Sequence, residues 1–461
     1  MNLSWFGRIH ALKMTLLPKM LYLFRTLPIP LPDQDLKTMQ RKIFKFIWAD
    51  KHPRITRQTM YRSKQQGGLS VPQLQNYYIA AQLIPLIHMH ALNPPKWVTI
   101  LKHPLYPTSP CALLWLPPLK RPKYPDPFLS HSMTVWDKYK HSAKLISPTL
   151  PATPIFGNPL FPPGLSFAAF QWWMSKGLQF IYNFYSLTGL KTWPMIQNIY
   201  NPPPMEIFHY QQINHFIRTT NKDRSTLTPT YFEKVCIKYP YSKGLISNLY
   251  NLLAGIHLQD PLPYTQAWCK DLNTTITDEN WTQIWQTTAS CSRNTSLLET
   301  TYKVLMRWYM VPSRLHKINP QISKDCFRRC GHTGSMFHIW WDCPNVQRYW
   351  SRIYNIIYSV TQINLRKDPQ NALLNGKIPN LNRYTRSLIS FIFLTAKITI
   401  AKFWKTTQIP ISHFKSKMNW VMVNERLTSV LLDKHDKFLK IWEPWYTYAF
   451  PHANDLFSFT S

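Results

Sequence analysis

The chain has 461 residues, with 54 Lys and Arg against 21 Asp and Glu, a formal net charge of +33, and 45% hydrophobic residues. That apolar share, with 19 Trp, 24 Tyr and 24 Phe, excludes a disordered basic tail and suffices for about three domains at roughly 150 residues each. Seven mostly isolated cysteines argue against a secreted disulfide framework and for an intracellular protein, nuclear or cytoplasmic; the charge calls for a polyanion, nucleic acid ahead of an anionic membrane.

Residues 1–92 read as a basic helical region. Leu36, Met39, Ile43, Phe46 and Ile47 recur at helical spacing, while Lys37, Arg41 and Lys45 fall at i, i+4 and i+8 on another face. Lys51, Arg54, Arg57, Arg62 and Lys64 follow, and no Asp or Glu occurs between Asp50 and Asp126. A charge run is ordinarily a solvated face. Here the absence of compensating acids favours phosphate contact by these eight cations. Gly67-Gly68 supplies a turn, and Tyr77 to Ile84 opens another helix that Pro85 kinks or delays. Ile9, Leu12, Leu16 and Met20 form an apolar face expected to be left partly uncovered.

Residues 93–165 are proline-rich, with Pro94-Pro95, Pro117-Pro118 and Pro162-Pro163 among many single prolines. This spacing predicts an irregular segment packed by its aromatics, or a semi-rigid linker, without long helices or central strands. Helical patterns return over 166–320. Phe167, Phe170, Met174, Leu178, Ile181 and Tyr185 give one, Ile207 to Phe216 a second, and stripes through Trp268, Trp281 and Tyr302 read as core. The longest uncharged apolar run lies between Arg386 and Lys397, about half the roughly 20 residues that span a bilayer. Arg8, Lys13 and Lys19 interrupt the N-terminal apolar residues, which speaks against an export signal.

Residues 321–360 carry the one constellation with metal-ligand spacing: Cys326, Cys330, His338 and Cys343 in the pattern C-x3-C-x7-H-x4-C. Three thiolates and an imidazole satisfy tetrahedral zinc with no position left for a catalytic water, so the site would be structural. The spacing is wider than a CCHC zinc knuckle, His332 competes as a ligand, and reduced cysteines packed near Trp340 and Trp341 are the alternative. Arg328 and Arg329 inside the first loop, beside Phe337, Trp340 and Trp341, suggest a single-strand grip; burial of at least one tryptophan is the competing expectation. Residues 361–461 read as a helical C-terminal tail. The fold expected is mainly α: a helical thumb-like bundle, the proline-rich segment, and a helical C-terminal region with a small CCHC module. Asp33 with Asp35, Asp278 with Glu279 and Asp433 with Asp436 are the only close acidic pairs, none in an apolar strand-turn-strand context, so a magnesium-dependent catalytic centre is not expected.

Several stretches carry a resemblance. Ser4-Trp5-Phe6-Gly7-Arg8-Ile9, Leu17-Pro18-Lys19-Met20-Leu21-Tyr22, Phe46-Ile47-Trp48, Pro53-Arg54-Ile55 and Gly67-Gly68-Leu69 stand in the order found downstream of the polymerase palm in non-LTR retrotransposons. Trp308-Tyr309, Pro312 to Lys317 and the cysteine cluster with Trp340-Trp341 complete the match. The chain thus resembles the C-terminal portion of the second open reading frame protein of long-interspersed-element type, a reverse transcriptase. The resemblance implies a helical thumb and cysteine-rich segment that hold RNA template and nascent duplex, with the palm and endonuclease upstream and Met1 an internal methionine. A non-catalytic remnant binding RNA and DNA with weak sequence preference is the expected function. The alternatives are a polymerase part active only with its missing domains, and a cationic membrane-surface protein.

Overall fold

The computed structural model describes residues 3–123, 126–221, 227–238, 240–255 and 261–451; Met1, invoked above as a start, lies outside them. Helices take up 63% of the chain, against one two-residue antiparallel ladder among the described residues, pairing Tyr185–Ser186 with Gly189–Leu190, so the fold is mainly α. No helix among the described residues is long and apolar enough to cross a membrane. All seven cysteines are free of disulfides.

Compactness does not follow consecutive segments. Two units form, each from separated stretches: one of Met1–Leu12, Phe44–Val71 and Asp260–Ser461, the other of Lys13–Ile43 and Pro72–Gln259, over their described residues. The first is organised around the Arg383–Lys402 helix, which packs against the helices Thr295–Leu305, Pro344–Thr361, Pro369–Leu374, Ile411–Leu431 and His435–Ala449. Its middle, from Leu388 to Ile400, is apolar nearly all round, and a helix without a polar face is stable only when enclosed. Asn382 fixes the start by accepting hydrogen bonds from the Tyr384 and Thr385 amides, each 2.9 Å. The Trp5–Ala11 helix lies on Thr295–Leu305, with Phe6 and Tyr302 ring centroids 5.1 Å apart. Gly67 takes φ +80, and its carbonyl accepts from Tyr264 Oη at 2.7 Å, which pins the turn that ends the basic stretch.

The second unit is built on the Leu74–His88 helix, against Leu17–Thr26, Pro127–Tyr139, Tyr231–Lys238 and Leu245–Gly255. Pro85 neither delays nor ends this helix. It sits in the last turn, where the N–H it lacks costs one backbone bond and the chain still winds on to His88.

The proline-rich segment holds more regular structure than its composition suggests. Helices Lys96–Leu105 and Pro127–Tyr139 lie within it, the second with Pro127 in its first turn and Asp126 accepting from the Leu129 amide at 2.6 Å. Proline is at home there because the first-turn N–H has no helical partner. The segment's aromatics are core: Trp115, Trp136, Phe156 and Phe161 are buried. The opposite correction applies between Phe167 and Tyr185, where only Gln171–Ser175 is α-helical. Gly177 at φ +72 stops the turn, and a 3-10 turn and the small ladder follow, while Phe170, Ile181 and Phe184 still fill the core expected of them. The N-terminal apolar face divides: Ile9 and Leu12 are buried, Met20 is half-buried, and Leu16 is exposed.

Candidate metal centre and a basic aromatic cleft

The cysteine cluster is assembled by two local devices. In the first, Cys326 N–H donates to the His332 carbonyl at 2.8 Å and Gly334 N–H to Lys324 O at 2.8 Å, framing an antiparallel bridge between Asp325 and Thr333. Arg329 at φ +54 and Gly331 at φ +79 turn the chain between these bonds, and Arg328 N–H donates to the Cys326 sulfur at 3.4 Å. In the second, Ser335 Oγ accepts from the His338 amide at 3.0 Å and a single π-turn spans His338–Asp342. Cys343 N–H bonds the His338 carbonyl at 2.9 Å, five residues back. An i to i+5 closure brings His338 and Cys343 together, so the x4 spacing between them is spanned by one π-turn rather than an α-turn. Pro344 then starts the Pro344–Thr361 helix.

Cys326 Sγ and Cys343 Sγ stand 4.0 Å apart, Cys330 Sγ and His338 Nε2 3.2 Å, and all four donor atoms lie within 4.8 Å of one another. Around one tetrahedral ion with bonds of zinc length, the edges would be about 3.7 Å between sulfurs and about 3.6 Å from sulfur to nitrogen. The four side chains could therefore hold a single metal ion with small adjustments. The competing His332 is outside the group: its ring is exposed and its Nδ1 faces the Cys330 carbonyl at 2.9 Å.

The protonation equilibria reflect three thiols in a small space. Burial, with Cys343 and Cys330 adding to it, pushes the Cys326 thiol up to about 12. Cys330 is lowered: burial opposes this, and hydrogen bonds from the His332 backbone and ring and from the neighbouring thiols outweigh it. Burial lowers His338, which favours the neutral imidazole that a metal requires.

Arg328 corrects its assignment as a nucleic-acid contact. It is 1% exposed, with Nη1 donating to the Ile339 carbonyl at 3.2 Å. Three thiolates on a divalent ion would leave one net negative charge, which the adjacent buried guanidinium would balance. Trp340 and Trp341 are both buried, Trp340 against Tyr309 and Trp404, Trp341 against Trp350, whose Nε1 donates to the Trp340 carbonyl at 2.9 Å. They are core, not a stacking platform. Of the local features suggesting a single-strand grip, Arg329 alone of the two arginines remains at the surface.

The other basic residues sort by exposure. Lys37 and Arg41 in one unit, and Lys45, Lys51, Arg54 and Arg57 in the other, are exposed. Arg62 is buried, and half-buried Lys64 turns inward, with Nζ 3.1 Å from His10 Nε2 and 4.8 Å from the Phe6 ring centre; neither is a free phosphate contact. Lys45 pairs with Asp50 at 3.3 Å in the open, an interaction worth little. Lys51 and Arg54 line a cleft of about 550 Å³ with Arg8, Trp5, Trp48 and Trp308. Trp5 and Trp48 stack within 4° of parallel, and the Arg54 guanidinium lies 4.1 Å from the Trp308 ring centre. Such a contact holds a cation in place without neutralising it. Sequence reading placed Trp5, Trp48 and Trp308 only within the resemblance; their gathering beside Lys51 and Arg54 spans some 300 residues and left no local signal. No family model matches the chain.

Proposed function

We propose that this chain is a nucleic-acid-binding protein, acting on RNA and DNA with little sequence preference and without catalysis of its own. The observation that carries the reading is the Lys51–Arg54 cleft: exposed cations without an ion pair among the described residues, one of them ordered over an indole, beside stacked tryptophans. Ordered, unneutralised cations beside a groove are what a phosphate backbone needs. Retrotransposon polymerase kinship, implied by the sequence resemblance, agrees with this role. The Cys326, Cys330, His338 and Cys343 set would hold zinc structurally, with every position taken by protein and Arg328 balancing the charge.

Fluorescence anisotropy with labelled single-stranded RNA and DNA, from about 50 to 200 mM salt, tests the reading. Binding should weaken steeply with salt, with the double change Lys51→Gln and Arg54→Gln reducing the logarithmic slope by about 1.4. Salt-insensitive affinity would refute it. Primer extension and nuclease assays with Mg²⁺ and Mn²⁺ test the absence of catalysis, and activity abolished by a single Asp→Asn change would overturn that part.

A further inference from the structure

A second cleft, of about 560 Å³, lies in the same unit where four helix ends meet. Arg293 comes from just beyond the Asp278–Ser290 helix, and Arg383 and Arg386 from the first turn of Arg383–Lys402. The end of Ile411–Leu431 supplies Glu425, and Lys434 and Lys437 come from the start of His435–Ala449. Five cations therefore face one cavity against a single lining carboxylate. None of the five forms an ion pair among the described residues.

Glu425 is already engaged. It accepts from Ser292 Oγ at 2.6 Å, and burial raises its carboxyl, which diminishes the one negative charge available to the cations. Arg386 spends one Nη on the Leu381 carbonyl at 2.9 Å, while its Nε is buried with no hydrogen-bond partner. A buried guanidinium N–H left without an acceptor is a desolvation cost that an anion seated against this guanidinium would offset. The floor is aromatic: Trp442 is buried, with Phe391 4.9 Å and Phe438 6.2 Å from it between ring centres, and Phe438 is only half-buried.

We propose that this cleft binds a nucleoside phosphate, with the phosphate on Arg293, Arg386 and Lys437 and the base against Phe438. The cations define an anion of high charge density, and the ring beside them provides the flat apolar surface that a bare phosphate has no use for. The volume suits one nucleotide unit, either free or as part of a strand. The site shares no residue with the Lys51–Arg54 cleft, so the two can fail separately.

The test uses the full chain and three probes: 5′-AMP, inorganic phosphate, and a labelled ten-nucleotide single strand. Two double variants are compared with wild type, Arg386→Gln with Lys437→Gln, and the exposed pair Arg293→Gln with Lys437→Gln, which guards against loss of folding at Arg386. Circular dichroism confirms each fold. Weakening of 5′-AMP by tenfold or more in both variants supports the proposal with a free nucleotide as ligand. Weakening of the strand alone, by the same factor, supports it with a strand as ligand. If inorganic phosphate competes as well as 5′-AMP does, the base takes no part and the nucleoside assignment is overturned. If folded variants keep both affinities within twofold, the cleft is overturned altogether. Loss of strand binding in Lys51→Gln with Arg54→Gln would then leave the nucleic-acid reading standing, and its retention there would remove that reading as well.

Discussion

Lys397 lies in the middle of the apolar Arg383–Lys402 helix, fully enclosed, with Nζ donating to the Asn375 Oδ1 at 2.9 Å and the Leu373 carbonyl at 3.2 Å. Burial lowers its pKa from 10.5 to about 7, the Cys291 thiol opposing only in part. A lysine lowered on folding weakens the fold wherever the unfolded chain holds a proton that the folded one has lost or holds at a cost. Below about pH 7 both states are protonated and the penalty, roughly 5 kcal/mol, is complete. From pH 7 to 10.5 the unfolded state binds more protons, so stability rises with pH, and above 10.5 the penalty is gone. Lys397→Met removes the titration and leaves two acceptors unpaired, a loss of about 1–3 kcal/mol for each. At pH 7 the two effects nearly offset, so variant and wild type should lie within about 2 kcal/mol of each other, and by pH 9 the variant should fall by about a further 2 kcal/mol relative to wild type. Urea unfolding followed by tryptophan fluorescence at pH 7, 8 and 9 measures both. The difference between the two proteins cancels the other groups that titrate. A difference that stays constant with pH would refute the reasoning, since it would mean that Lys397 titrates alike in both states.

Three further outcomes are expected. Metal analysis of the purified chain should give one zinc per molecule; Cys343→Ser should lose it, and chelation should lower the melting temperature of wild type but not of the variant, consistent with structural zinc energies of order 10 kcal/mol. Arg328→Gln should destabilise by about 1–3 kcal/mol, measured by urea unfolding, while exposed Arg329→Gln stays within about 0.5 kcal/mol. Gly334→Ala would place a Cβ 2.6 Å from Pro312 Cγ, and a loss of about 1–3 kcal/mol in the same assay would register that clash.

Sequence alone determined the helical class, because helical spacing survives in the local string: Leu36, Ile43 and Ile47 mark a helix that runs Asp33–Trp48, and Val346, Tyr349, Trp350 and Ile353 one that runs Pro344–Thr361. It also determined the four candidate ligands, since all fall within 18 residues and a tetrahedral donor set is legible as spacing. It could not remove His332 as a competitor to His338, nor show that a π-turn joins His338 to Cys343, because both depend on backbone hydrogen bonds rather than residue types. Exposure was beyond it too. Arg328 and Arg62 look like surface cations in the string, yet the chain folds over them; Trp340 and Trp341 look like a platform until Tyr309, Trp404 and Trp350 cover them. The two clefts were decided by tertiary structure alone. Arg293, Arg386 and Lys437 are separated by long stretches of chain, and only helix ends brought together around a buried core turn scattered charges into one local field.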